Sequence, residues 1–464
     1  MKLVMKFGGT SVGNASRFAE VARIIRNFHD DGHQIVAVVS AMAGVTDLLL
    51  SMAKKAINDE EYVLRSLSLL KDKHIKACDV IANPKLRKEI KRYVNDLIAQ
   101  LKVFLKGIAI IGEVTPRMKD YVLSFGERLS AKILWAKLID LGIKSKYFTG
   151  WEAGIVTDDE FGSAKPLMDL TEERVKERLN PLLRKGVIPV VTGYIASTIN
   201  GYITTLGRGG SDYTASILGA ALEVDEIWIW TDVDGIMTAD PKIVSNSKTI
   251  PILSYDEAAE IAYFGAKVLQ PYMLKPAKDK KIPIRVKNTF NPKNSGSLIA
   301  DVERMRKKGV VKAVCINNNV SILTVRDLDP RSFKKVLKLM EKLAEGSVES
   351  ILVSQSFPEG SFSLIVPKTK IKRISEYIRE IGDIKTEWEN DVSLIAVVGA
   401  GMKGTPGVAA KVFQSVAERG INIRVIVQGP SELNISFVVK QKDGIEAVRA
   451  IHERFNLGET DGQN

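Results

Sequence analysis

Residues 204–216 read TTLGRGGSDYTAS, and the rest of the chain can be read outward from this stretch. Glycines stand at 207, 209 and 210, with Arg208 between the first two and Ser211 and Asp212 directly after. Such a mixture does not fill a core. The glycines permit positive φ and close approach of backbone to a ligand, while Ser211 and Asp212 are residue types that cap a helix, here predicted to begin at Tyr213. The turn would aim backbone N–H groups at an anion, and Arg208 would add a planar cationic fork that grips carboxylate or phosphate through two parallel hydrogen bonds. A glycine-rich turn carrying a surface arginine fits the same residues, so the other stretches must decide.

A chain of 464 residues is too long for a single core and predicts two or three domains. Its hydrophobic fraction of 45% against 26% charged excludes a disordered or fibrous class. Cys78 and Cys315 share no metal-type spacing, and two thiols in a chain of this length point to a reducing compartment. Met1 runs directly into a strand-like LVMKF, which leaves no room for a signal peptide, and no apolar run is long enough to span a membrane. The expectation is a soluble, cytoplasmic protein. The excess of 67 basic over 55 acidic residues fits nucleic acid, anionic metabolites or a lysine-rich surface. Distribution separates these. The basic residues are scattered among acidic partners, as in KLRKEIK at 85–91, and no basic stripe is interleaved with aromatics, so no nucleic-acid partner is expected.

KLVMKF at 2–7 reads as a buried strand, GGTSVG as a turn, 17–29 as an amphipathic helix and IVAVVS at 35–40 as a second buried strand. That order is the βαβ signature of a parallel sheet. From 48 to 141 the pattern becomes largely helical, broken at Asn83-Pro84 and Thr115-Pro116. Strands resume as VIPVVTGYI at 187–195, EIWIWTD at 226–232 and IPIRVKNT at 282–289. A boundary is expected near 291–311, where NPKNSGS and DVERMRKKG interrupt the apolar pattern. Beyond it a shorter rhythm, strand–helix–strand–strand–helix, occurs twice: from VSILTVR to a helix at 370–381, then from VSLIAVVGA to a helix at 445–455. Domains are therefore expected at 1–300, 301–390 and 391–464. The repeated modules read as a ligand sensor or dimerisation surface, or as packing modules without a ligand.

KFGGTS at 6–11 lies between strand and helix, so Gly8, Gly9 and the N–H groups behind them form an anion nest beside Lys6. The chain lacks the P-loop pattern, the protein-kinase motifs, CxxC and HExxH, and none of its four histidines lies in a polar or glycine-rich cluster. TDVDGIMTADPK at 231–242 places a hydroxyl and carboxylates at a strand's C-terminal end, where open α/β sheets bind ligands; proline and glycine there could also simply build a loop. Lys267, in YFGAKVLQP, lies in a helical stretch.

Taken in order, KFGGTS, VVSAMAGVTD, SFGERLS, TTLGRGGSDYTA, WTDVDGIMTADP and YFGAKVLQP closely resemble the motifs of the aspartokinases, members of the amino-acid kinase family, and the end modules resemble the family's ACT domains. The resemblance covers essentially the whole chain. It implies an α/β fold of carbamate-kinase-like type, an open and mainly parallel sheet flanked by helices, followed by two ferredoxin-like βαββαβ modules. The implied reaction passes the γ-phosphoryl of ATP, with Mg2+, to the β-carboxylate of L-aspartate, the first step towards lysine, threonine and methionine. A carboxylate nucleophile is ionised at neutral pH and requires no general base. What it requires is neutralisation and alignment of two anions.

Carried over by motif, Lys6, Asp212 and Lys267 would be catalytic. Ser40, Thr46, Glu127, Arg208 and Ser211 would bind aspartate, with Glu127 facing the α-ammonium and Arg208 the α-carboxylate. Lys6, Gly8, Gly9, Thr10, Thr231, Asp232, Met237, Lys242, Lys267 and Val268 would hold ATP, and no residue is assigned as a protein-held metal ligand. Met237 and Lys242 stand where the family often carries Tyr and Arg, and Gln270 where it carries His. The second module keeps GAGMKGTPG and QGPSELNIS, which resemble an effector site for threonine or lysine; the first has lost these glycines and reads as degenerate. A homodimer or larger assembly through the modules is expected, because their sheet edges need cover. The rival readings are a catalytically silent amino-acid sensor on a kinase fold and a kinase for another small carboxylate.

Overall fold

The computed structural model describes residues 1–265, 269–301, 310–326, 333–346, 348, 351–356, 361–382 and 385–459. Several expectations fall outside them: Lys267 and Val268, the charged run at 302–309, the altered turn at 327–332 and the chain end at 460–464. Over its described residues the chain forms two units. The first comprises Met1–Ile236, Pro251–Tyr255 and Val268–Asp301, the second Met237–Ile250, Asp256–Lys267 and Val302–Asn464. No helix among the described residues is long and apolar enough to cross a membrane.

The first unit is built on an eight-stranded sheet. Its order is Ser145–Phe148, Ile188–Thr192, Gln34–Val39, Lys2–Phe7, Glu226–Thr231, Ile284–Asn288, Ser297–Ala300 and Ile252–Ser254. The first six run parallel, Ser297–Ala300 is antiparallel to its inner neighbour, and Ile252–Ser254 is parallel to Ser297–Ala300. The central strands are apolar on both faces because both are covered: every residue of Ile188–Thr192 and all but the first of Lys2–Phe7 and Gln34–Val39 are buried. Phe7 stacks on Trp230 across the central strand pair, ring centroids 5.9 Å apart, and both are fully buried.

The helical insertion consists of Val45–Lys55, Glu60–Ala77, Pro84–Ile111 and Pro116–Asp140. Its breaks are capping signals. The Asn83 side chain accepts the Lys85 and Leu86 N–H groups, the Thr115 hydroxyl accepts that of Met118, and a proline follows each cap where its missing N–H is harmless. The strand expected over 187–195 is divided. It ends at Thr192, Tyr194 takes a left-handed conformation (φ 65°), and Ile195–Thr198 joins Val156–Thr157 and Ile203–Thr205 in a separate small sheet.

The second unit holds one six-stranded antiparallel sheet, ordered Leu352–Ser356, Ser361–Pro367, Ala313–Arg326, Lys385–Val398, Asn434–Lys440 and Ile423–Val427. With helices Phe333–Glu345, Ile371–Ile381, Val408–Ala417 and Gly444–Arg454, the chain repeats strand–helix–strand–strand–helix twice. The two 14-residue strands at the centre serve both repeats. Leu323 and Val325 pack with Val336, Leu339, Leu364 and Ile374, whereas Val311 and Val314, earlier in the chain, pack with Ile395, Val397, Val412 and Phe437. A division at 390/391 therefore cuts through a strand rather than between modules. The expected boundary near 300 is also not a single cut. Segments 237–250 and 256–267 group with the second unit: Ala239 and Val244 enter its core, and Glu257 accepts from Lys312 Nζ and Ala400 N–H, each at 2.8 Å.

Candidate active site

The strand register of the first unit brings the functional stretches to one rim. Phe7 lies opposite Val39 and Trp230, Val39 opposite Thr192, and Thr231 opposite Asn288. The C-terminal ends of five parallel strands thus share one edge, where the turns after them converge. Chain order reverses direction between Lys2–Phe7 and Glu226–Thr231, the kind of switch point that opens a ligand crevice.

Lys6, one residue from the end of the central strand, places Nζ 2.5 Å from Asp212 Oδ1, and both side chains are about 10% exposed. Behind it the glycine turn is anchored at both ends: Gly8 N–H donates to Trp230 O at 3.2 Å, and the Ser11 and Thr289 hydroxyls lie 2.7 Å apart. Thr10 is exposed beside it. Ser40 follows the next strand, its N–H donating to Phe7 O and its carbonyl accepting from Ser130 Oγ at 2.6 Å. Thr46 sits in the first turn of the Val45–Lys55 helix, half-buried, and is not its cap; Gly44 is.

Arg208 is exposed, forms no ion pair with a described residue, and is flanked by left-handed Gly207 (φ 75°) and Gly209 (φ 74°). The helix after it begins at Gly210, not at Tyr213, with Gly209 as its cap. The left-handed cap closes the turn early, so Ser211 and Asp212 lie inside the first helical turn instead of capping it. An Asp there is favoured by the positive end of the helix dipole. Gly193, after the Ile188–Thr192 strand, packs so closely on this turn that a Cβ would lie 2.6 Å from Ser211 Cβ and Oγ.

Glu127, on Pro116–Asp140, is buried, with Oε1 accepting Ala41 N–H at 3.1 Å and Oε2 without a partner among the described residues. Burial pushes its carboxyl up to about 8, against the lowering effect of the Ala41 hydrogen bond. A cation placed beside such a carboxyl would favour its charged form and lower it again. Thr231 Oγ1 donates to Asp232 Oδ1 at 3.2 Å, and Asn288 and Asn291 hold Asp234. Met237 and Lys242 belong to the second unit, where Met237 pairs with Thr249 and Lys242 N–H donates to Asp240.

Sequence reasoning missed Asp120, Gly193, Tyr194 and Asn288. Asp120 was concealed in a helical pattern, although a carboxylate seven residues before Glu127 on an otherwise apolar helix face was a signal. Gly193 and Tyr194 were read as part of a strand; a glycine at the end of an apolar run was the available hint.

The model of the amino acid kinase family matches residues 1–288, and an ACT domain model matches 395–455. The chain belongs to the aspartokinases of the amino acid kinase family. It is 34% identical over 470 residues to aspartokinase 1, chloroplastic, of Arabidopsis thaliana, covering 97% of this chain and 80% of that one. Among solved aspartokinases it resembles E. coli aspartokinase III in complex with aspartate and ADP (R-state), with a TM-score of 0.83, 28% identity and coverage of 98% and 100%. The same enzyme in complex with lysine and aspartate (T-state) gives 0.80 and 29%, covering 98% and 99%. The aspartokinase fold assigned from the motifs, with its ACT-bearing C-terminal region, is thus the fold found.

Proposed function

We propose that the chain transfers the γ-phosphoryl of MgATP to the β-carboxylate of L-aspartate. A carboxylate oxygen forms the new P–O bond, the bond to the β-phosphate breaks, and 4-phospho-L-aspartate and ADP leave with no proton abstracted. The observation that carries this reading is the Lys6–Asp212 pair at the switch point: a lysine held by a buried carboxylate, beside a glycine turn, at the rim where five strands end. Two unit negative charges about 4 Å apart repel by about 4 kcal/mol at an effective dielectric near 20, so one fixed ammonium between them changes the rate decisively.

Arg208 would clamp the α-carboxylate and Glu127 the α-ammonium. Ser40, Thr46 and Ser211 would add hydrogen bonds, and Gly8, Gly9, Thr10, Thr231 and Asp232 would face the nucleotide. Magnesium arrives with the triphosphate, which supplies most of its oxygens. The described residues hold no cluster of three or more potential ligands, and one or two carboxylates suffice for a phosphate-bound magnesium; Asp232, beside the nucleotide in this reading, would be one. The C-terminal unit would bind an amino-acid effector and join copies of the chain into a homo-oligomer. The test of the reaction is hydroxamate formation from aspartate, MgATP and hydroxylamine, with glutamate and N-acetylglutamate in parallel. Aspartate alone should give signal; a response equal to the no-aspartate blank, or a preference for another acid, overturns the assignment.

A further inference from the structure

Asp120 is a buried carboxylate with no place in the phosphoryl-transfer scheme above. It lies in the first turns of the Pro116–Asp140 helix and accepts three hydrogen bonds: Thr205 N–H at 2.9 Å and Gly162 N–H at 2.9 Å on Oδ2, and Thr205 Oγ1 at 2.8 Å on Oδ1. Thr205 ends the short strand three residues before Arg208. Gly162 belongs to the loop lying under that turn: Ala164 N–H donates to Thr205 O at 2.9 Å, and Gly162 and Ser163 pack against Gly207. Two turns further along the same helix stands Glu127. Burial above all pushes the Tyr194 phenol upward, and the side chain is near enough to both carboxylates for their charge to add to that rise. Tyr194 in turn is locked to the arginine turn, since its carbonyl accepts Leu206 N–H at 2.9 Å and its N–H donates to Thr214 Oγ1 at 2.9 Å.

We infer that Asp120 is a positioning residue for recognition of the amino-acid substrate: it fixes the Thr205–Arg208 turn to the helix that carries Glu127, so that one rigid element sets the spacing of the groups for α-carboxylate and α-ammonium. An amino acid is recognised by two opposite charges at a fixed separation. Arg208 sits on an exposed turn and forms no ion pair with a described residue, so its place is inherited from Thr205. The carboxylate at 120 tells on the acceptor and not on the nucleotide.

This rests on the reading of Arg208 and Glu127 given above, and the experiment separates the two. Apparent KM for aspartate and for ATP, kcat and melting temperature are measured for the full chain and for Asp120→Asn, Thr205→Val and Asp140→Asn. Asp140 lies on the same helix and anchors Ala82 and Asn83 N–H groups instead, so it controls for loss of a helix-borne carboxylate. Asp120→Asn should raise the aspartate KM about tenfold, the scale of one lost charge-assisted hydrogen bond, with the ATP KM little changed. Thr205→Val, which keeps the backbone bond, should move it in the same direction by less. Asp140→Asn should lower the melting temperature and leave the aspartate KM alone. If Asp120→Asn does not fold, Thr205→Val carries the test. Equal rises in both KM values, no rise in either, or the same KM shift from Asp140→Asn overturns the inference. Absence of aspartate-dependent turnover in the unmodified chain would instead overturn the functional reading.

Discussion

In the proposed role of Glu127, one buried group would tie stability to ligand recognition. Its folded carboxyl titrates near 8, far above the ordinary value of 4.5, because burial disfavours the charged form. Between those values the folded chain keeps a proton that the unfolded chain has lost. Stability from this group is therefore complete below about pH 4.5 and declines as pH rises towards 8. Glu127→Gln should flatten the urea-unfolding stability profile across that window while raising the aspartate KM; an unchanged profile would place the carboxyl in water. Arg208 has the opposite surroundings, exposed and without an ion pair among the described residues. Arg208→Lys keeps the charge but loses the fork, so the aspartate KM should rise about tenfold or more, the worth of one charge-assisted hydrogen bond, with the ATP KM unchanged. Equal effects on both substrates would contradict its role. Arg208 and Lys6 stood out in the sequence because a cation beside glycines needs an anion to meet, even where, as for Lys6, a strand buries it. Tyr194 did not, because its left-handed backbone depends on contacts with the 206–214 segment that only the fold supplies.

The turn at 207–210 and the strand end at 192–194 work as a matched pair. The parallel strand stops at Thr192, Gly193 lets the first helical turn come to van der Waals contact, and the helix then starts three residues earlier than its Ser-Asp sequence implies. A methyl group on Gly193 has nowhere to go but into Ser211. Gly193→Ala should therefore cost about 1–3 kcal/mol of stability from overpacking and reduce kcat, since Ser211 and Asp212 move together. A variant as stable and active as the parent would show that the turn is free to shift. Helix ends in the insertion were readable, since Asn83-Pro84 and Thr115-Pro116 carry cap and first-turn residues side by side. The early start at Gly210 was not readable, because a glycine cap has no side chain to announce it.

Over the whole molecule, the repeat in the C-terminal region was readable as a rhythm of elements, and its helices fall where the periodicity placed them. Its wiring was not. Period alone cannot reveal that two 14-residue strands each serve two cores, nor that 237–250 and 256–267 group with this unit, which follows from the ion pair of buried Glu257 with Lys312 and the burial of Ala239 and Val244. Two free cysteines, both buried and with thiols pushed up to about 12, offer no nucleophile, so the proposed chemistry rests on the strand-end rim of the first unit. The account stands on Lys6 neutralising the transferring phosphoryl without any proton acceptor. Its most direct measurement is the single-turnover rate of 4-phosphoaspartate formation, trapped as hydroxamate, for the unmodified chain and for Lys6→Ala at saturating aspartate and MgATP. The account predicts a loss of about 100-fold or more, as for removal of one preorganised charge from a transition state. A Lys6→Ala rate within a few-fold of the parent would contradict it.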